Sequence, residues 1–189
     1  MLGRTHQLIG FTSAYTALLL FPMGQLNTQT IIAGIFLISV GALTPDLDDQ
    51  HNKLYTFVPI GHGLFAKICE KLFGKHRSIS HSLVGLALFG YASHWLIFHI
   101  PEANGFNHDI LWRAFFISLT SHLLSDAITR EGIPILWPIN FKVGFPPFKS
   151  LRMKTGGFIE KYIVSTLLIV FLFFITYLYW PELIKVFGF

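Results

Sequence analysis

Histidine and aspartate recur in four short groups along the chain: His6; Asp46, Asp48 and Asp49 in T-P-D-L-D-D; His76, Arg77 and His81 in K-H-R-S-I-S-H-S; and His122 with Asp126 in S-H-L-L-S-D. Imidazole nitrogen and carboxylate oxygen are ligands for divalent metals, and both serve in acid–base chemistry. His122 and Asp126 are four apart, so on a helix they project from one face toward a common ion or toward each other. The alternative is a hydrogen-bonded pair inside a helix bundle. Asp46 and Asp48 follow Pro45, where the chain leaves a helix and can aim two hard oxygen ligands at one centre; a solvated helix end is the competing reading. Asp49, beside them, can face water.

His76 and His81 are five apart and share a face only if His76 precedes the helix. A break at Arg77 is therefore expected, with Ser78 or Ser80 capping the helix that follows. Arg77 would then stand beside the site as a fixed cation suited to an anionic substrate oxygen, unless it is an ordinary loop charge. His6 taken alone also fits an interfacial residue. The candidates sum to three or four imidazoles and three carboxylates, more than the ~four ligands of a single zinc ion. A two-metal centre, or one metal with a general base and outer carboxylates, accounts for the surplus. Either would activate water for hydrolysis of an ester or phosphoester, with Arg77 and Asp126 the candidate catalytic groups.

The elements that must position these groups are membrane helices. With 189 residues, 52% hydrophobic and 13% charged, and a mean hydropathy of +0.56, the chain is too apolar for an ordinary soluble domain. It reads as one all-α membrane domain over residues 1–189. The net charge of +4 is not gathered into a dense basic stripe, and no nucleic-acid partner is expected. Cys69 stands alone, which removes internal disulfides and cysteine-rich zinc sites and suits a buried thiol. The apolar N-terminal run lacks a small-x-small cleavage pattern and reads as a retained first span.

Candidate spans cover roughly 7 to 23, 28 to 44, 81 to 100, 110 to 128 and 161 to 180, each near the ~17 to 25 residues that cross a bilayer. About five transmembrane helices are thus expected. Gly34 and Gly41 interrupt the second, and the fourth carries Arg113, His122 and Asp126. Lys53, Lys67, Lys71, Lys75 and Arg77 gather between spans two and three, and Arg130, Lys142, Lys149, Arg152 and Lys154 between four and five. Positive charge marks the cytoplasmic side, so the N-terminus and both long loops are expected inside. That topology puts every His–Asp group at one face, where clustered ionisable residues signal a site. Residues 57–73 place Ile60, Leu64, Ile68 and Leu72 on one stripe, as an interfacial amphipathic helix would. Residues 132–148 are apolar but hold four prolines, which suits a re-entrant or surface-lying loop.

The full set resembles a known family. His6, L-T-P-D-L-D at 43–48, H-R-S-I-S-H-S at 76–82, S-H-L-L-S-D-A-I-T at 121–129 and G-I-P-I-L-W-P at 132–138 together resemble the YdjM family, LexA-regulated proteins of the bacterial inner membrane described as metal-dependent hydrolases. The likeness runs to about Lys161. It departs where the family often has histidine directly after the second aspartate, here Asp49 and then His51, and where glycine is frequent before His76, here Lys75. It implies that His6, Asp46, Asp48, His76, His81, His122 and Asp126 are the shared polar positions, and these are the expected ligands of one or two divalent ions, zinc or manganese. The expected substrate is a membrane lipid or lipid-linked ester or phosphoester. Two other readings stay open. A metal-free histidine phosphatase would need paired Lys and Arg phosphate motifs that the sequence lacks. A metal or proton transporter, or a purely structural membrane protein, would place ionisable groups through the bilayer depth, where His94 is nearly alone.

Overall fold

A computed structural model of the chain describes residues 1–21, 26–49, 52–57, 62–73, 77–101, 105–139 and 141–187. Its main helices are α1 (Gly3–Leu20), α2 (Thr28–Leu43), α3 (His62–Phe73), α4 (Leu83–Phe98), α5 (His108–Ala127), α6 (Ser165–Leu178) and α7 (Trp180–Phe187). A 3₁₀ turn, Thr44–Asp48, prolongs α2, and a π-helical stretch, Ile159–Val164, runs into α6. Among the described residues there is no strand, only isolated bridges from Thr129 to Met153 and from Ile133 to Val143. The all-α expectation holds.

Local sequence starts the helices. Asn27 accepts the Thr30 N–H at 2.7 Å to open α2, and Asn107 accepts the Ile110 N–H at 3.1 Å to open α5. Ser82, which accepts the Gly85 N–H at 3.1 Å, caps α4. Ser78 and Ser80 do not, because a 3₁₀ turn, Ile79–His81, separates Arg77 from the helix and the Ser80 hydroxyl is bound to Asp48.

α5 lies at the centre, packed on α1, α2 and α4. Small residues let the backbones close up: a Cβ on Gly10 would lie 2.2 Å from Ser118 Oγ, and one on Gly41 would lie 2.5 Å from the Phe115 carbonyl oxygen. Ser118 in turn donates to the Ile38 carbonyl at 2.7 Å, joining α5 to α2. The start of α1 is tied to the approach to α6 by Glu160, fully buried, which accepts the Leu2 N–H at 2.6 Å and the Gly156 N–H at 2.7 Å.

Among the described residues, two of the five expected spans are long and apolar enough to cross a bilayer by length and composition: Thr28–Asp48 and Ile159–Leu178. α4 is apolar but has 16 residues. α5 turns its serines, His122 and Asp126 inward, which lowers its hydropathy below that of a lipid-facing helix. The amphipathic helix expected over 57–73 is α3. It buries Ala66 and Cys69 and leaves Leu64, Ile68 and Leu72 exposed in a row, while Ile60 lies outside the described residues. The proline-containing segment forms no helix among its described residues. It pairs Ile133 with Val143 through N–H···O bonds of 2.9 and 2.8 Å, and the Phe145 N–H donates to the Ala127 carbonyl at 2.9 Å, so it braces the end of α5.

Candidate metal centre

Four segments deliver the polar groups to one end of the bundle. His6 is on the first turns of α1, Asp46 and Asp48 are on the 3₁₀ turn after α2, His81 is just before α4, and His122 and Asp126 close α5. The His6 and His122 rings stack at 3.6 Å, and His81 meets His122 edge-on at 5.3 Å. All three rings are completely buried. His76 lies outside the described residues. Asp49 is half-buried at the edge, its N–H donating to the Asp46 carbonyl at 2.9 Å.

The hydrogen bonds behind the rings determine where each imidazole carries its proton. His122 Nδ1 is 2.6 Å from the Ala42 carbonyl oxygen, which can only accept, so Nδ1 is the donor. That carbonyl belongs to the last turn of α2, where helical partners run out and Pro45 removes a further donor. His6 Nδ1 is 2.9 Å from Ser125 Oγ, whose single proton goes to the His122 carbonyl at 2.8 Å. His81 Nδ1 is 3.0 Å from Ser80 Oγ, whose proton goes to Asp48 Oδ2 at 2.6 Å. Both histidines must therefore donate as well. With Nδ1–H assigned in all three by this network, every neutral ring points its Nε2 lone pair inward.

Those lone pairs face carboxylate oxygens. His6 Nε2 is 3.3 Å from Asp126 Oδ1, and His81 Nε2 is 3.3 Å from Asp46 Oδ1 and 3.5 Å from Asp126 Oδ2. His122 Nε2 is 3.5 Å from Asp46 Oδ1. His6 Nε2 and His122 Nε2 are buried without a hydrogen bond, a costly condition for polar atoms that a cation among them would relieve. Two ligands each ~2.0–2.1 Å from a tetrahedral zinc ion lie roughly 3.3–3.4 Å apart, close to the observed spacing. Ligand atoms of His6, Asp46 and His122, of His81, His122 and Asp126, and of Asp46, Asp48 and His81 each fall within 4.8 Å of one another. The donor set fits a divalent metal.

Arg77 has a backbone φ of 61°, a left-handed conformation uncommon outside glycine. Its N–H donates to Asp48 Oδ2 at 3.1 Å, Nη1 to Thr129 Oγ1 at 3.1 Å, and Nη2 pairs with Asp126 Oδ2 at 2.9 Å. The guanidinium is thus buried and engaged with Asp126. The Met1 nitrogen pairs with the other Asp126 oxygen. Asp46, with 18% of its side chain exposed, is the opening of a centre whose histidines are at 0%. Sequence reasoning did not single out Ser125, Thr129 or the Ala42 carbonyl, and it gave Ser80 a different task. Their only local signal is adjacency, as in S-H and S-D. His94, nearly alone at mid-depth, stacks on Phe98 at 4.2 Å and meets Trp112 edge-on.

Fold and site together define an all-helical membrane protein with a buried His–Asp cluster able to hold a metal ion. The chain matches the YdjM inner membrane protein family over residues 1–184 and belongs to that family. It is 30% identical over 129 residues to the inner membrane protein YdjM of Escherichia coli strain K12 and to its Shigella flexneri counterpart, a match covering 67% of this chain and 59% of each of those. It is also similar to the uncharacterized protein YvsG of Bacillus subtilis strain 168, 29% identical over 167 residues, 88% of this chain and 89% of that one. No solved structure matches the chain.

Proposed function

We propose that this protein is a membrane-bound, metal-dependent hydrolase acting at the cytoplasmic face on a lipid or lipid-linked ester or phosphoester. The observation that carries the reading is the inward orientation of three imidazole lone pairs against the carboxylates of Asp46 and Asp126. His6, His81, His122, Asp46, Asp126 and, at the edge, Asp48 would hold one or two divalent ions, zinc or manganese. When bound, such ions supply Lewis-acid activation of water and of the bond to be cleaved. Asp46, the exposed member, marks the side from which water arrives. Asp126, with its oxygens on Arg77 and the Met1 nitrogen, would hold the ion beside the attacking water, and Arg77 would supply positive charge beside the developing anion.

In this reading α1, α2, α4, α5 and the Ile159–Leu178 helix are the five spans. The N-terminus and the centre are cytoplasmic, in line with the Lys and Arg excess of the loops. The leucine–isoleucine row of α3 rests on the inner membrane surface. The test is bound metal, and release of water-soluble headgroup or free acid from a total membrane lipid extract, in protein purified without chelator. Wild type should carry stoichiometric metal and turn over a lipid, and Asp46→Ala and His122→Ala should do neither. Wild type free of metal, or equally active with and without chelator, would overturn the reading.

A further inference from the structure

A cavity of about 820 Å³ opens on the flank of the bundle between α1, α5 and the helix beginning at Ile159, within the ~300–1,000 Å³ of ligand pockets. Its cationic side chains are gathered at one end. Arg130, Arg152 and Lys154 line the end next to the His–Asp centre, where α5 stops and α6 is approached. Farther along the helices the lining is mostly apolar, with Ile9, Leu124, Val164 and Leu168, and includes the hydroxyls of Ser13 and Ser121. A shallower apolar groove of about 540 Å³ shares Val164 and Leu168 and continues along α6 to Phe174. From Val164 to Phe174 is roughly 15 Å of helix, a track for a hydrocarbon chain. No carboxylate lines the cavity among the described residues.

Of the three cations, Arg152 is partly engaged, donating to the Pro146 and Pro147 carbonyls at 2.7 and 2.9 Å. Arg130 and Lys154 are exposed at the rim, with Arg130 Nε donating to the Arg152 carbonyl at 3.4 Å. The cavity touches the centre directly. Ser125 lines it and is also the acceptor that sets the His6 proton, and Met1 lines it with its nitrogen on Asp126.

We propose that this cavity binds an anionic phospholipid, with its phosphate at Arg130 and Lys154 and an acyl chain running between α1, α5 and α6 toward Phe174. It is the site from which a lipid is presented to the His–Asp centre, and that last step rests on the hydrolase reading. A cationic rim with an apolar interior selects an amphiphile with a negative head. A free phosphate would gain nothing from the apolar wall, and a neutral lipid nothing from the rim.

Native mass spectrometry of the detergent-purified full chain, with phosphatidylglycerol or phosphatidylcholine added, tests the site. Wild type should retain phosphatidylglycerol at least about tenfold better than phosphatidylcholine. The double variant Arg130→Gln with Lys154→Gln should lose that preference. Leu124→Trp and Leu168→Trp, which fill the cavity, should each lose lipid while keeping wild-type metal content, which reports that the bundle is intact. Equal retention of the two lipids by wild type, or unchanged retention by metal-replete cavity-filled variants, overturns the proposal. His122→Ala separates the two readings: lipid retained without metal in both this variant and wild type keeps the cavity and sinks the hydrolase. Metal with hydrolysis but no lipid preference does the reverse.

Discussion

α5 and the Ile159–Leu178 helix each have 20 residues, yet their surroundings are opposite. α5 buries ten residues, among them Ser118, Ser121, His122, Ser125 and Asp126. In the other helix, Glu160 at the start and Ile175 near the end are the buried residues, and Leu167, Phe173 and Tyr177 are largely exposed. The second is therefore the plainest span in the sequence and contributes no ligand to the centre. The first is ambiguous by hydropathy and is the core of the molecule. Hydropathy reports which helices face lipid, whereas polar residues survive in a helix that faces other helices.

The contrast can be broken most severely at His122. Replacing it with alanine removes an inward lone pair and should abolish stoichiometric metal, a loss of more than about 100-fold in affinity readable by elemental analysis. An unchanged metal content would mean that α5 is polar for packing alone.

Arg77→Met comes next, because it strips the buried Asp126 of its guanidinium. Truncating one partner of a buried ion pair costs about 3–5 kcal/mol, and the thermal midpoint in detergent should fall by several degrees or more. Arg77→Lys should recover only part of the loss, since an ammonium cannot bridge Thr129 and Asp126 with the same fork.

Ser125→Ala tests the orienting bond rather than the ligand. His6 would lose its Nδ1 acceptor and the fixed direction of Nε2, so metal affinity should drop roughly 10- to 100-fold with little change in helix content. A titration indistinguishable from wild type would show that packing alone holds the ring.

Smallest is Phe173→Ala, on the exposed face of α6. It should change stability by less than about 0.5 kcal/mol and leave metal binding untouched. A large effect would reveal a protein partner on that face and close the difference between the two helices.

Much of the fold is local and was legible. The approximate bounds of the second and fourth spans, the apolar stripe of α3 and the plain final span all follow from spacing and residue type within a turn or two. The start of α4 was misread because S-I-S-H-S offers three serines. Only the packing of Asp48 against Ser80 leaves Ser82 as the cap.

By itself the sequence singled out His6, Asp46, Asp48, His81, His122 and Asp126 and put them at one end of the bundle, because ionisable groups in an apolar chain are few and the helix ends place them; His76, chosen with them, lies outside the described residues. The tertiary structure alone decided how the groups act. It supplied the acceptors that orient the rings, namely Ser125 for His6, Ser80 for His81 and the Ala42 carbonyl for His122. It also turned Arg77 onto Asp126 and left the cavity beside Ser125. Apart from the neighbouring Ser80 and His81, these contacts join residues far apart in the chain, so no helical or strand period encodes them. They arise when close-packed backbones, as at Gly10 and Gly41, bring one helix's donors against another's unsatisfied acceptors.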